Sequence, residues 1–252
     1  MNNIKKYLFV TLALVFVSCN NKAKVEDIQV KETPIKAITG ELKNIDGADN
    51  KYIRLCISAK DENLGDVLVY KVVGEAKIEN NSFIINNLYT PEYKYLKRIT
   101  EQFPVRIGEI LSDTNVMVTE PVSELVIVDN PDANDYNASV KVRLADADPM
   151  KFMPGDYYTL FIYVDKDVIY KGRNFVKSLD PVGKEVIFVF EYDFKFKQGW
   201  NKIIAFYTSL KDEKDLTGET DKMVRTSRFK LFSGDLSGQR WYIYRTNIFK
   251  DE

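Results

Sequence analysis

The stretch EVIFVFEYDFKFK, Glu185 to Lys197, decides the fold of this chain. Apolar and aromatic side chains occupy every second position and share one face of an extended strand: Val186, Phe188, Phe190, Tyr192, Phe194 and Phe196. Charged residues take the other face toward the end of the stretch. A period of two residues fits a β-strand, and no helical period fits it. The stretch therefore predicts a strand and favours a fold built from sheets.

Shorter strand-like stretches recur on both sides of it, separated by Gly, Asn and Asp residues typical of turns. They are Ile35–Lys43, Tyr52–Ser58, Val67–Val73, Ser82–Asn86, Glu124–Val128, Ala138–Ala145, Tyr157–Val164, Val168–Tyr170, Lys202–Ser209, Met223–Phe232 and Arg240–Thr246. Asn80 and Asn81 predict a hairpin turn, because asparagine tolerates positive φ. Lys211–Lys222 is charged and predicts a loop. Short strands at this spacing predict an all-β chain of the β-sandwich type.

A polar segment interrupts the strand pattern near the middle of the chain. Residues 129–137 begin DNPDAND and contain no large aliphatic side chain. Segments of this composition commonly join domains. We therefore expect two tandem β-sandwich domains, residues 35–128 and residues 138–252.

The first eighteen residues predict a secretory signal peptide. Lys5 and Lys6 precede an unbroken apolar run from Tyr7 to Val17, and a small residue, Ser18, follows. This order of charge, apolar run and small residue is typical of exported proteins. The run is too short for a membrane-spanning helix, which needs about 20 apolar residues.

The sequence FVSC, Phe16 to Cys19, resembles the lipobox of bacterial lipoproteins. The resemblance implies cleavage before Cys19 and acylation of this residue. Each buried methylene of an acyl chain contributes about 0.8 kcal/mol to membrane binding, so several chains make a stable anchor. The polar residues that follow, up to residue 34, predict a flexible tether. Alternatively, Cys19 is incidental and the mature protein is periplasmic and unanchored.

The strand and turn segments resemble uncharacterised Bacteroidota lipoproteins. ITGELKN, NNSFIINN and the following Pro91 resemble a transthyretin-like or immunoglobulin-like sandwich. YYTLFIYVDKDVIYKG and YDFKFKQGWNKI resemble β-rich C-terminal modules of such lipoproteins. The resemblance implies a lipid-anchored location at the outer membrane of the cell envelope. It transfers no catalytic residue.

The composition excludes several classes of activity. The chain contains no histidine, which excludes Ser-His-Asp and Cys-His catalysis and imidazole zinc sites. With Cys19 acylated, Cys56 is the one remaining thiol, so neither a disulfide nor a thiolate zinc cluster is possible within the chain. A formal net charge of −1 gives no electrostatic basis for binding nucleic acid. We expect no enzymatic activity and no cofactor.

An aspartate cluster is the best candidate for a metal site. Asp129, Asp132 and Asp135 carry oxygen donors of the kind that Ca²⁺ prefers. An EF-hand loop counted from Asp129 needs glycine at its sixth position and glutamate at its twelfth, where this chain has Asn134 and Val140. The sequence therefore favours a solvated linker over a calcium site.

Aromatic residues of the second half suggest a glycan-binding platform. Trp200 and Trp241 are the first candidates, because amphipathic rings suit stacking on sugars. The alternative, which we favour, is that both rings pack within the sheets. The whole sequence predicts a non-enzymatic protein-interaction or assembly module. Carbohydrate binding by exposed aromatics is the second hypothesis.

Overall fold

The computed structural model describes residues 34–42, 45–61, 67–105, 109–132, 140–179, 184–218, 221–236 and 238–245. The strands are β1 (Ile38–Glu41), β2 (Tyr52–Asp61), β3 (Val67–Lys77), β4 (Ser82–Ile85), β5 (Lys97–Arg98), β6 (Ile110–Leu111), β7 (Met117–Val118), β8 (Leu125–Val128), β9 (Val140–Ala145), β10 (Tyr157–Val164), β11 (Val168–Leu179), β12 (Glu185–Phe196), β13 (Gly199–Lys214), β14 (Met223–Ser233) and β15 (Arg240–Arg245). Within these described ranges, helical structure is limited to α1 (Ile99–Gln102) and two 3₁₀ turns, Tyr93–Tyr95 and Pro149–Lys151. The chain is mostly β, as the alternation in the sequence predicts.

Most strands belong to one continuous hydrogen-bonded sheet. Its main path runs β3-β2-β8-β9-β10-β13-β14-β12-β11-β6, with β15 beside β9, and with β7 between β10 and β5. Strands β1 and β4 form a separate two-stranded sheet. Among the strand pairs that the structure describes, all are antiparallel except β12 and β14, which run parallel with Val186 opposite Arg225.

The predicted linker at 129–137 lies between two strands that pair with each other. Strand β8 pairs with β9 across this segment, with Val126 opposite Lys141. On either side, β2 pairs with β8 and β10 pairs with β9. The two predicted domains thus share one sheet, and a division into two tandem sandwiches is not confirmed.

The largest core also draws on both halves of the chain. Ile53 and Leu55 from β2 are buried in the same cluster as Phe161, Trp200 and Trp241. A second core lies beneath the segment that contains α1, and it combines buried residues from five strands with that segment. Its members are Ile99, Phe103, Val116, Val118, Ile162, Val164, Val168, Tyr170, Phe194, Phe196 and Ile203.

The structure confirms the predicted turn at Asn80 and Asn81, whose φ angles are 52° and 55°. Two positive φ values are the mark of a type I′ turn. Several strands are longer than predicted. Among them, β11 continues past Tyr170 to Leu179, and β13 continues to Lys214, four residues into the predicted charged loop. Pairing explains both of these extensions, because residues 171–179 of β11 pair with β12 and residues 210–214 of β13 pair with β14.

Candidate functional site

Strands β11, β12, β14 and β13 form a sheet that curls upon itself. Lys177 lies on β11 and Asp215 follows β13, at opposite edges of these four strands, yet Lys177 Nζ is 3.2 Å from Asp215 Oδ2. The inner face of the curl carries Ile187, Val189 and Val224, all buried. The other face of the sheet therefore points outward.

Aromatic side chains line this outward face. Phe188, Phe190 and Tyr192 follow one another along β12, with ring centroids 6.4 and 6.5 Å apart and ring planes inclined by only 12°. Phe229 on the neighbouring β14 stacks on Phe190 at 5.6 Å. All four side chains are half-buried. We call these four residues the aromatic surface.

Covering by a distant segment decides which half of β12 stays open. In the second half of the strand, Phe194 and Phe196 are fully buried. Phe103, which follows α1, lies over them with its ring 5.2 Å from that of Phe194. Phe103 also contacts Tyr192, with ring centroids 5.5 Å apart, so the cover ends at this side of the aromatic surface. Phe188, at the other end of the row, pairs with Val176, which is 42% exposed. One face of β12 thus supplies both core residues and surface residues.

A polar cavity of about 270 Å³ lies elsewhere, on the sheet formed by β3, β2, β8 and β9. Its walls combine two carboxylates, three hydroxyl-bearing side chains, an ammonium group, a thiol and two apolar side chains. The lining residues are Cys56, Ser58, Tyr70, Glu120, Pro121, Val122, Ser123, Glu124 and Lys141. We call it the Glu120 cavity.

Each carboxylate of the Glu120 cavity is held by cations. Glu120 accepts a hydrogen bond from Ser58 Oγ at 3.0 Å and pairs with the ammonium group of Lys97. Burial opposes ionisation of Glu120, but the hydrogen bonds from Lys97 and Ser58 and the charge of Lys97 lower its pKa below the ordinary value. Glu124 lies 3.4 Å from Arg143 Nη2 and 3.8 Å from Lys141 Nζ. Both side chains are therefore fixed in place as acceptors.

The thiol of Cys56 is not activated as a nucleophile. Burial raises the pKa of this thiol to about 12, and the nearby charge of Arg54 opposes the rise only in part. A thiol is nucleophilic only as a thiolate, so Cys56 is inert at neutral pH. The cavity can bind but has no activated nucleophile at this position.

The two tryptophans that were candidates for a sugar platform are buried. Trp200 is 3% exposed, its Nε1 donates to the carbonyl oxygen of Tyr89 at 3.0 Å, and Tyr163 packs edge-on against it. Trp241 is 6% exposed and packs against Phe83. Neither ring offers a face to a ligand, because the shared core takes up both. Sheet packing, the alternative favoured from the sequence, describes their position.

The aspartate cluster does not form a site within the described part of the chain. Asp129 is exposed and pairs with Lys51 at 2.9 Å. Asp132 donates its backbone N–H to Asn130 Oδ1 at 2.9 Å, a turn interaction. Asp135 lies outside the described residues, as does the lipidation candidate Cys19. Among the residues that the structure describes, no group of three or more Cys, Asp or Glu side chains is arranged to hold a metal ion.

No protein-family model matches the chain, and neither a curated protein nor a solved structure matches it. Within the described ranges, no helix is both long and apolar enough to cross a bilayer.

Sequence reasoning missed both surfaces for the same physical reason. The residues of the aromatic surface were recognised as a strand face, but a segment some ninety residues earlier in the chain decides which of them are covered. The Glu120 cavity combines β2, β3, β9 and the stretch before β8. No local sequence motif can predict a site that is assembled from four separate segments.

Proposed function

We propose that this protein is a lipid-anchored, non-enzymatic interaction module of the bacterial outer envelope, and that a partner protein docks on the aromatic surface. The observation that carries the proposal is the outward-facing row of Phe188, Phe190, Tyr192 and Phe229. Large contiguous apolar patches on the surface of a soluble protein mark interaction sites. Aromatic residues are enriched at the centres of protein interfaces.

The chemistry of this face supports a protein partner over a glycan. A sugar needs hydrogen-bonding groups beside the ring on which it stacks, and the polar neighbours here are already engaged. Ser227 is buried, with its Oγ 3.5 Å from the hydroxyl of Tyr207. Asn174 Oδ1 accepts the backbone N–H of Phe175 at 2.8 Å. We therefore commit to a partner whose contact surface is apolar and weakly charged.

The envelope location rests on the resemblance of Phe16–Cys19 to a lipobox, and the tether up to residue 34 would hold the folded part near the membrane. The finer arrangement, two tandem β-sandwiches of residues 35–128 and 138–252, belongs to this proposal as well. Their shared sheet and core favour modules that act as one body.

Site-specific crosslinking tests the docking surface. p-Benzoylphenylalanine replaces Phe190 in the full chain in its native cells, and in a matched control it replaces Tyr93, an aromatic residue that is 71% exposed. We expect one discrete protein adduct at position 190 and none at 93. The adduct's protein, purified, should bind the wild-type chain at least about tenfold more tightly than Phe190→Glu and equally to Tyr93→Glu.

Three outcomes would overturn the proposal. One is no adduct at position 190. Another is a crosslink to a second copy of this chain, which would make the aromatic surface a self-association face. The third is an adduct protein whose affinity does not change in Phe190→Glu.

Carbohydrate binding by exposed aromatics of residues 138–252 is the alternative proposal. The half-buried Tyr192 at the end of the row is the specific observation that favours it, because tyrosine combines a ring face with a hydroxyl. A glycan array tests it. A glycan signal that disappears in Phe190→Ser and Tyr192→Ser would replace the protein partner by a sugar.

A further inference from the structure

We infer that the Glu120 cavity is a binding site for one neutral, polyhydroxylated ring, a ligand of the size and chemistry of a single sugar unit. This site is separate from the aromatic surface and does not depend on the function proposed there. Its volume of about 270 Å³ is near the lower end of small-molecule sites, which are roughly 300–1,000 Å³. The volume suits a single ring better than a long chain.

The charges around the cavity select against ionic ligands. Two carboxylates, those of Glu120 and Glu124, line the walls together with Lys141, whose ammonium group already pairs with Glu124, so an anion gains little there. Both are already compensated, Glu120 by Lys97 and Glu124 by Lys141 and Arg143, so a free cation gains little there. The walls therefore present hydrogen-bonding groups whose charges are balanced by neighbouring charges. These groups suit a ligand that carries hydroxyl groups and no net charge.

The hydrogen-bonding capacity of the walls exceeds what the protein uses. A carboxylate has about four acceptor positions, and Glu120 is engaged by Ser58 and Lys97. Ser123 Oγ accepts a hydrogen bond from Arg143 Nη2 at 3.0 Å. A hydroxyl that accepts still has its own hydrogen to donate. Glu120 can thus accept from one ligand hydroxyl while Ser123 donates to another.

The apolar part of the lining matches the other property of a sugar, its C–H faces. Pro121 and Val122, which lie between Glu120 and Ser123 in the sequence, also line the cavity, and Tyr70, another lining residue, is 37% exposed. A ring face beside oriented hydrogen-bonding groups is the combination that the aromatic surface lacks. Because Cys56 is un-ionised, the site binds without covalent chemistry.

Titration by ligand-observed NMR tests the inference with the full chain. The probes are D-glucose, D-galactose, D-mannose and N-acetyl-D-glucosamine, with D-glucuronate and D-glucosamine as anionic and cationic counterparts at pH 7. We expect at least one neutral sugar to bind in the millimolar range or tighter. Its charged counterparts should bind at least about tenfold more weakly, because each brings an uncompensated charge into the cavity.

Two variants locate the site, and a third serves as control. Glu120→Gln removes a charged acceptor and should weaken binding at least about tenfold. Ser123→Ala removes a donor but leaves the Glu120–Lys97 pair intact, so it reports on the cavity even if Glu120→Gln reduces the stability. Glu92→Gln is the matched control, because Glu92 is also a lysine-paired carboxylate, 2.8 Å from Lys94, and does not line the cavity. It should bind like the wild type.

The inference fails if the folded protein binds none of the four neutral sugars. It also fails if D-glucuronate binds at least as tightly as the neutral sugars, or if binding is unchanged in both Glu120→Gln and Ser123→Ala. The absence of a crosslink at position 190 would not affect the result of the sugar titration, so the two proposals can fail separately.

Discussion

The indole of Trp241 occupies the space in which a side chain at Gly40 would lie. A Cβ atom added to Gly40 would come within 2.0 Å of Trp241 Nε1 and within 2.7 Å of Phe83. The same Nε1 donates to the carbonyl oxygen of Thr39 at 3.3 Å. The contact attaches the last described strand, β15, to the first, β1. The shared core therefore requires a glycine at position 40.

We expect Gly40→Ala to lower the free energy of unfolding by about 1–3 kcal/mol, because the added methyl overpacks this contact. Trp241→Ala should cost about 3–5 kcal/mol, the usual loss for a buried large aromatic residue. In the Trp241→Ala background, Gly40→Ala should cost less than in the wild type, because the clash with the indole has gone and only the contact with Phe83 remains. Urea unfolding of both single variants and the double variant measures this coupling.

Ile84→Ala is the control for that experiment. Ile84 lies on β4 of the same two-stranded sheet but is 61% exposed, so its truncation should change the stability by no more than about 0.5 kcal/mol. Additive effects of Gly40→Ala and Trp241→Ala would contradict the contact.

Asp215 makes the stability of the folded protein depend on pH in the acidic range. Hydrogen bonds from the hydroxyl and backbone N–H of Thr217, and then the contact with Lys177, lower the pKa of Asp215 from 3.8 to about 2. The unfolded chain keeps the ordinary value, so the ionised carboxylate favours the folded state above about pH 4. That contribution is lost as the pH falls from about 4 to about 2.

Asp215→Asn should therefore flatten the pH dependence of the melting temperature between pH 4 and pH 2, and lower the melting temperature at pH 7. Asp212→Asn is the matched control, because Asp212 is exposed and pairs only with the exposed side chain of Arg225 among the ion pairs that the structure describes. Parallel melting curves for Asp215→Asn and the wild type over this range would show that the curled sheet does not depend on Asp215.

Cys56 should resist alkylation while the protein is folded. Its thiol is buried and its pKa is raised to about 12, so the thiolate fraction at pH 8 is very small. In a Cys19→Ser protein, iodoacetamide at pH 8 should label Cys56 only as fast as the chain unfolds, and urea should accelerate the labelling to the rate of a free thiol. Rapid labelling of the native protein, at the same rate as in urea, would mean that the thiol is accessible.

The sequence predicts the kind of structure better than its arrangement. Alternation from Glu185 to Lys197 identifies β12, because the period of two is a local property of the strand. The turn at Asn80 and Asn81 is equally local. The partner of β4 is not: it pairs with β1, more than forty residues earlier, with Ile38 opposite Ile85. Pairing between distant strands depends on contacts that no window of sequence contains.

Burial follows the same division between local and distant causes. The sequence shows that the aromatic residues of β12 share a face, but Phe103 decides that Phe194 is core while Phe190 is surface. Trp200 and Trp241 are amphipathic rings in either environment, so their sequence context leaves both a platform and a core possible. The Glu120 cavity is the feature that is hardest to predict from the sequence, because most of its lining residues are polar and follow no characteristic spacing.

The lipid anchor is a prediction that requires acylation of Cys19. Expressed in a bacterium with the lipoprotein pathway, the wild-type chain should enter the detergent phase on partitioning, and mass spectrometry should find an acylated N-terminal cysteine. Cys19→Ser should enter the aqueous phase, because it can carry no acyl chain. Cys56→Ser is the matched control and should partition like the wild type. An unmodified mature N-terminus in the wild-type protein would contradict the anchor.

The shared sheet and core predict that the two halves of the chain hold together after the segment between them is cut. A protease site inserted between Asn134 and Asp135 allows cleavage of the native protein at one place. We expect the two fragments to elute together on size exclusion, because β8 stays paired with β9 and because Trp200 and Trp241 remain in a core with Ile53. They should separate only in denaturant. In the same cut protein, Trp241→Ala should loosen the association, since it removes a large side chain from the side of the core that faces the other fragment. Fragments that separate without denaturant would instead support two independent sandwiches, each stable on its own packing.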